Sequence, residues 1–154
     1  MTAAGVLKTY LVVVLGCISS TALFMTVVPF FKTTSSCGAF FGVLSAVSGF
    51  VIGAYIPISE FSDNVQTVCN IFPGSHVTIL LRNALLDGVL EHIDESIGGL
   101  DNGAFVNAIK DAFTFNARMF GNSLDITRMI IYTVSLIILC LFLMIVLYSR
   151  RYKK

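Results

Sequence analysis

The chain has 154 residues, 56% of them hydrophobic and only 12% charged, and its formal net charge is +1. An ordinary soluble domain carries about 25% charged and about 45–50% apolar residues, so too little polar surface is present to cover a water-facing globule, which argues against a soluble enzyme. The same excess, with a mean hydropathy of +0.86, excludes intrinsic disorder, and so small a net charge offers no concentrated basic face for nucleic acid. What remains is an all-α integral membrane protein.

From Tyr10 to Phe31 the chain runs without a formal charge, bracketed by Lys8 and Lys32. At 1.5 Å per residue this stretch reaches about 33 Å, enough to cross a hydrocarbon core of about 30 Å. Lys8 followed by an apolar run and Leu15-Gly16-Cys17 loosely resembles a lipoprotein signal. The run continues through Met25 to Phe31, however, where a mature lipoprotein would begin with a polar tether, so a span is the preferred reading. Cys37 to Ile58 forms a second uncharged run and Met129 to Tyr148 a third, closed by Arg150, Arg151, Lys153 and Lys154. The predicted spans are therefore 10–31, 37–58 and 127–148. In lipid every backbone polar group must be satisfied within its segment, so each is read as a helix.

The second span carries Gly38, Gly42, Gly49 and Gly53, two GxxxG spacings, with Ala46 continuing the row. Small residues four apart make a flat face that another backbone can approach closely, although glycine is also simply frequent in membrane helices. Ser19, Ser20, Thr21, Thr26, Ser45 and Ser48 can bond back to their own helices. No acid, base or histidine falls in mid-span, so the proton relays of secondary transporters have no candidate. The third span is rich in Ile and Leu all round, as suits a helix at a bundle edge.

Pro57 ends the second span, and segment 59–125 follows. Ser62 to Phe72 places Val65, Val68, Cys69 and Phe72 on one side, and Ser75 to Ile93 places Val77, Leu80, Leu81, Ala84 and Leu85 at helical spacing. Pro73-Gly74 between them suggests a reversal. Two readings stay open: a re-entrant hairpin dipping into one leaflet, or two helices lying flat at the interface. Arg82, set among leucines, should snorkel or find a carboxylate such as Asp87 or Glu60, or a helix C-terminal carbonyl. His76 reads as a polar residue at the water boundary; His92, the other histidine, gives it no metal-binding spacing. Gly98-Gly99 and Asn102-Gly103 punctuate a flexible connection. Phe105 to Phe120 reads as an interfacial amphipathic helix ended by Gly121-Asn122, with Ser123 and Asp125 opening the last span.

The four cysteines, Cys17, Cys37, Cys69 and Cys140, show no CxxC spacing. Cys17 and Cys140 are expected to be buried thiols, whereas Cys69 lies in a polar stretch. Basic residues accumulate on the cytoplasmic side of spans. The tail from Arg150 onward thus puts the C-terminus inside, the Lys32 to Ser36 turn inside, and both Met1 to Thr9 and segment 59–125 outside. All nine acids lie in that outer segment.

A glycine-rich span ending Gly53-Ala54-Tyr55-Ile56-Pro57-Ile58, then Ile71-Phe72-Pro73-Gly74-Ser75-His76, then Leu80-Leu81-Arg82-Asn83-Ala84-Leu85-Leu86, an external loop and a last span with a basic tail: this order resembles the C-terminal half of an ABC type-2 permease. The resemblance implies a multi-pass, non-catalytic permease of a bacterial cell membrane, with Pro57, Pro73, Gly74, His76 and Arg82 in a re-entrant hairpin. It also implies partners: an ABC ATPase subunit, another permease chain or a missing N-terminal half, and the lipid bilayer. The chain has no GxxxxGK[ST], so ATP would be bound by a separate subunit, and no cofactor or metal is expected here. The expected function is the permease part of an ATP-driven exporter of a hydrophobic or amphipathic substrate. The alternative is a small membrane-anchored accessory or immunity-type protein acting through helix–helix binding.

Overall fold

In a computed structural model the described residues are 3–97 and 103–152. Gly98, Gly99 and Asn102 of the predicted connection, and Lys153 and Lys154 of the tail, lie outside them. Among the described residues six α-helices follow in chain order: α1 (Ala3–Val27), α2 (Thr34–Val51), α3 (Asp63–Ile71), α4 (Pro73–Ile97), α5 (Ala104–Ala112) and α6 (Ile126–Tyr152). A short antiparallel pair, β1 (Ala117–Met119) and β2 (Asn122–Leu124), sits between α5 and α6. Among the described residues three helices are long and apolar enough to cross a membrane, over Gly5–Phe30, Thr34–Val51 and Ile126–Arg150.

The second span stops at Val51, short of the predicted Ile58, because its C-terminus is tied off by backbone bonds. Gly53 takes φ +71, its N–H donates to the Phe50 carbonyl at 3.1 Å, and the Ala54 N–H donates to the Gly49 carbonyl at 2.9 Å. That pair of reverse bonds is a Schellman motif, which needs a left-handed residue and so favours glycine. α2 leaves most of its surface open, and Gly49 is its one buried residue. Near the start of α2, Phe41 meets Phe24 of α1 edge to face at 5.4 Å.

The reversal between α3 and α4 falls at Phe72, which is extended, and Pro73 opens α4. Proline suits the first helical position, where its missing N–H costs nothing and its φ is already set. Gly74 is helical, not left-handed as a turn residue would be. Its role is close approach, since a Cβ there would lie 2.9 Å from Ile52 Cγ2. α4 then runs antiparallel to α1. Val77 Cγ1 presses on Gly16, where a Cβ would sit 2.7 Å away, and Ile79 and Leu80 form a core with Ala117 and Met129 against Val12 and Leu15. On α6 a stripe of Met129, Thr133, Ile137 and Cys140 is buried. Ala22 of α1 packs on its lower half, and Thr26 Oγ1 lies 3.0 Å from the Cys140 carbonyl.

The predicted helix from Phe105 to Phe120 ends early, at Ala112. Thr114 takes φ +54, its N–H donates to the Asp111 carbonyl, and the Phe115 N–H donates to the Lys110 carbonyl. This second Schellman motif carries a threonine where glycine is usual, and it releases the chain into β1. The two-residue turn Phe120-Gly121, with φ +51 and +78, joins Met119 to its partner Asn122; positive φ at both central residues marks a type I′ turn.

Candidate functional site

The polar side chains of α3 and α4 bind main-chain carbonyls of the loops around them. Arg82, in the middle of α4, donates from one guanidinium nitrogen to the Gly53 carbonyl and from the other to that of Phe113. These carbonyls end α2 and α5. A cation there meets the negative ends of two helix dipoles while satisfying acceptors that the helices leave unpaired. The structure thus selects the helix C-terminal carbonyls among the partners considered for Arg82; the side chain of Asp87 lies outside the described residues.

One residue on, Asn83 Nδ2 donates to the carbonyls of Ile79 (2.8 Å) and Phe115 (2.9 Å). Asn70 Nδ2 donates to the Arg118 carbonyl in β1 at 2.8 Å, and Gln66 Nε2 to the Phe61 carbonyl at 2.7 Å. Thr114 Oγ1 accepts the Ser59 N–H at 3.0 Å. At the reversal, Ser75 Oγ lies 2.6 Å from the Cys69 carbonyl and 3.0 Å from that of Val51, and Tyr132 of α6 donates to the Ile71 carbonyl at 2.8 Å.

His76 is fully buried, not at the water boundary, because its ring stacks at 4.7 Å on Tyr132 and its Nε2 bonds the Asn70 carbonyl at 2.6 Å. A carbonyl only accepts, so Nε2 carries the proton and Nδ1 is a bare acceptor; Nδ1 and Asn70 Oδ1 are both buried without a partner among the described residues. Burial pushes the imidazole below its ordinary pKa, against the opposing pull of the Asn70 carbonyl.

The predicted face of α3 divides. Cys69 is buried and its thiol pushed up by desolvation, whereas Val65 and Val68 point outward and the polar Gln66 and Asn70 point in. The reason is that the donors Gln66 and Asn70 need acceptors, which only the protein side supplies. Cys140 is buried as expected, but Cys17 is exposed and lines a groove. The glycines of α2 are separated in the same way. Among the described residues nothing stands within 4 Å of a Cβ on Gly38 or Gly42, while Gly49 lies under the Tyr55 ring of the same chain and Gly53 belongs to the turn. Pro57 caps a 3-10 turn, Ile58–Glu60.

Two apolar grooves flank α1. One, of about 580 Å³, lies between α1 and α6 and includes Cys17, Met25 and Tyr148; the other, of about 600 Å³, lies between α1 and α2 and includes Phe24, Phe41 and Ser48. Thr21 and Met25 line both.

Long apolar helices, a polar clasp between α4 and the loops around it, and apolar grooves beside α1 define a helical membrane protein. The chain belongs to the family described as ABC-2 family transporter protein, which matches residues 1–149. It is a membrane permease component of an ABC transporter, in a family that associates with an ABC ATPase and a further permease chain. No curated protein and no solved structure matches it.

The sequence reading missed Asn70, Asn83, Thr114 and Tyr132, all of which bond the loops around the reversal. The signal available for α3 was the pair Gln66 and Asn70, four apart and opposite Val65 and Val68, a helix whose polar side is the inner one.

Proposed function

We propose that the chain forms the translocation part of an ATP-driven exporter in a bacterial cell membrane, moving a hydrophobic or amphipathic substrate while a separate subunit binds and hydrolyses ATP. Family membership over residues 1–149 carries this reading. The two apolar grooves beside α1 support an apolar or amphipathic cargo. In the proposed topology the C-terminus and the Lys32 to Ser36 turn are cytoplasmic, the turn being the surface offered to the ATPase, and segment 59–125 is external.

The α3–α4 reversal dips into the outer leaflet in this reading. Supporting it, Val77 meets Gly16, which lies eleven residues into the Gly5–Phe30 span, about 16 Å below its outer end. Spin labels at Ile71 and Val68, both exposed, report the depth directly. Labels as shallow as one at Phe105 would remove the re-entrant reading.

The test of function is reconstitution. Co-expression with an ABC ATPase subunit from the same organism should yield a complex that co-purifies through the chain and drives ATP-dependent uptake of a lipophilic dye into inverted vesicles. A chain that binds other membrane proteins but no ATPase would instead be the accessory or immunity-type protein.

A further inference from the structure

Among the described residues two other than glycine have positive φ, Thr114 and Phe120. Thr114 is explained by the protein around it, being buried and hydrogen-bonded to Ser59. Phe120 is not. Its turn position is one that Asn, Asp or Gly fills readily and that a bulky aromatic does not, and its side chain is 78% exposed. A strained residue persists where the surroundings require it, and the inference runs from the outlier to a role.

A second observation places that side chain. On α3 the buried residues are Gln66 (6%), Cys69 (6%) and Asn70 (0%), so two of the three are polar amides, while Val65, Val68 and Ile71 are 43%, 67% and 51% exposed. A helix facing water has the opposite arrangement. The hairpin is bonded to this helix twice, through Asn70 to the Arg118 carbonyl and from the Phe120 N–H to Thr67 Oγ1 at 3.2 Å. Its strand β1 packs through Ala117 at the level of Val12 and Leu15, about 10–15 Å into the α1 span at 1.5 Å per residue. A tip three residues along β1 stays within about 10 Å of that level. Ile126, Ile130 and Ile131 near the start of α6 are exposed as well.

We infer that Phe120, at the tip of the β1–β2 hairpin, is a membrane anchor that inserts into the outer leaflet beside the apolar face of α3. The inference rests on the re-entrant reading above. Its occupant is bilayer lipid, in the region just below the headgroups, where an aromatic ring gains most from leaving water.

The chain contains no tryptophan, so Phe120→Trp introduces a sole reporter. In phosphatidylcholine–phosphatidylglycerol proteoliposomes its emission should be blue-shifted relative to free tryptophan and quenched more by lipids brominated near the headgroup than by those brominated at the chain end. Emission at the aqueous wavelength without quenching overturns the inference. Val68→Trp separates the two readings: if it is quenched and Phe120→Trp is not, the α3–α4 reversal enters the leaflet and the anchor is wrong; if neither is quenched, both fail. Should Phe120→Trp not assemble, Phe120→Asn decides, because it gives the turn its preferred Asn-Gly pair. A melting temperature in detergent equal to or above that of the natural chain is expected; a clear fall would mean that Phe120 is held by protein contacts, not lipid.

Discussion

Arg82 does more than balance charge, since its two donors hold the ends of α2 and α5 together over the centre of α4. Arg82→Leu strands both carbonyls, and a charge-assisted bond to a polar partner contributes about 1.5–3 kcal/mol. The melting temperature in detergent should fall markedly for Arg82→Leu and less for Arg82→Lys, whose single ammonium cannot reproduce the fork. His76 gives a pH dependence of definite sign. Its folded pKa is depressed, so the unfolded chain takes up the proton first, and stability is lost as pH falls below the ordinary value of about 6.5. Melting measured on either side of that pH should show the loss in the natural chain and a smaller one in His76→Gln. Equal slopes would mean that folding leaves the proton affinity of His76 unchanged.

Helix ends decide the shape of the outer segment more than helix interiors do. α2 and α5 both finish in Schellman motifs, one built on Gly53 and one on Thr114. A side chain at Gly53 would be strained at φ +71 and would press on Ile58 Cγ1 at 2.7 Å. Gly53→Ala is therefore expected to cost about 1–3 kcal/mol, read as a lower melting temperature, whereas the same change at Gly38, with open space around it, should leave melting unchanged or raise it, since alanine is the better helix former. Among these elements the apolar runs of the three spans were legible from sequence, because a run without charge long enough to cross a bilayer has few other solutions. The β-hairpin was not legible. Its strands are three residues each, too short for a period-2 pattern, and Phe120-Gly121 lacks the Asn-Gly or Asp-Gly signature of the turn it forms.

Across the whole molecule, α4 is the pillar on which α1, α6 and the outer segment meet, and Gly16 is where α1 admits it. Gly16→Leu drives a side chain into Val77, and overpacking costs about 1–3 kcal/mol. The variant should open the outer segment to limited proteolysis while the apolar runs still insert. Topology is testable at exposed sites: Asn107→Cys, on α5, should react with a membrane-impermeant thiol reagent in intact cells and Ser149→Cys only after permeabilisation. The reverse pattern would invert the orientation. Buried Cys69 makes a poor reporter for this purpose despite its polar neighbours.

By itself the sequence determined that the chain is helical, lies in a membrane and carries three apolar runs long enough to cross it, because hydrophobic length and absence of charge are local properties that the bilayer reads directly; where the second helix ends was decided by its C-terminal turn. It also marked Pro73 and Arg82 as special, since a proline and a lone cation among leucines conflict with an uninterrupted apolar helix. Only the tertiary structure decided what those residues do. Arg82 binds carbonyls some thirty residues away on either side, Asn70 and Asn83 bind a strand and loop beyond α5, and α3 turns its polar side inward. Such pairings follow from which backbone groups the packed chain leaves unsatisfied, a quantity that no local window of sequence contains.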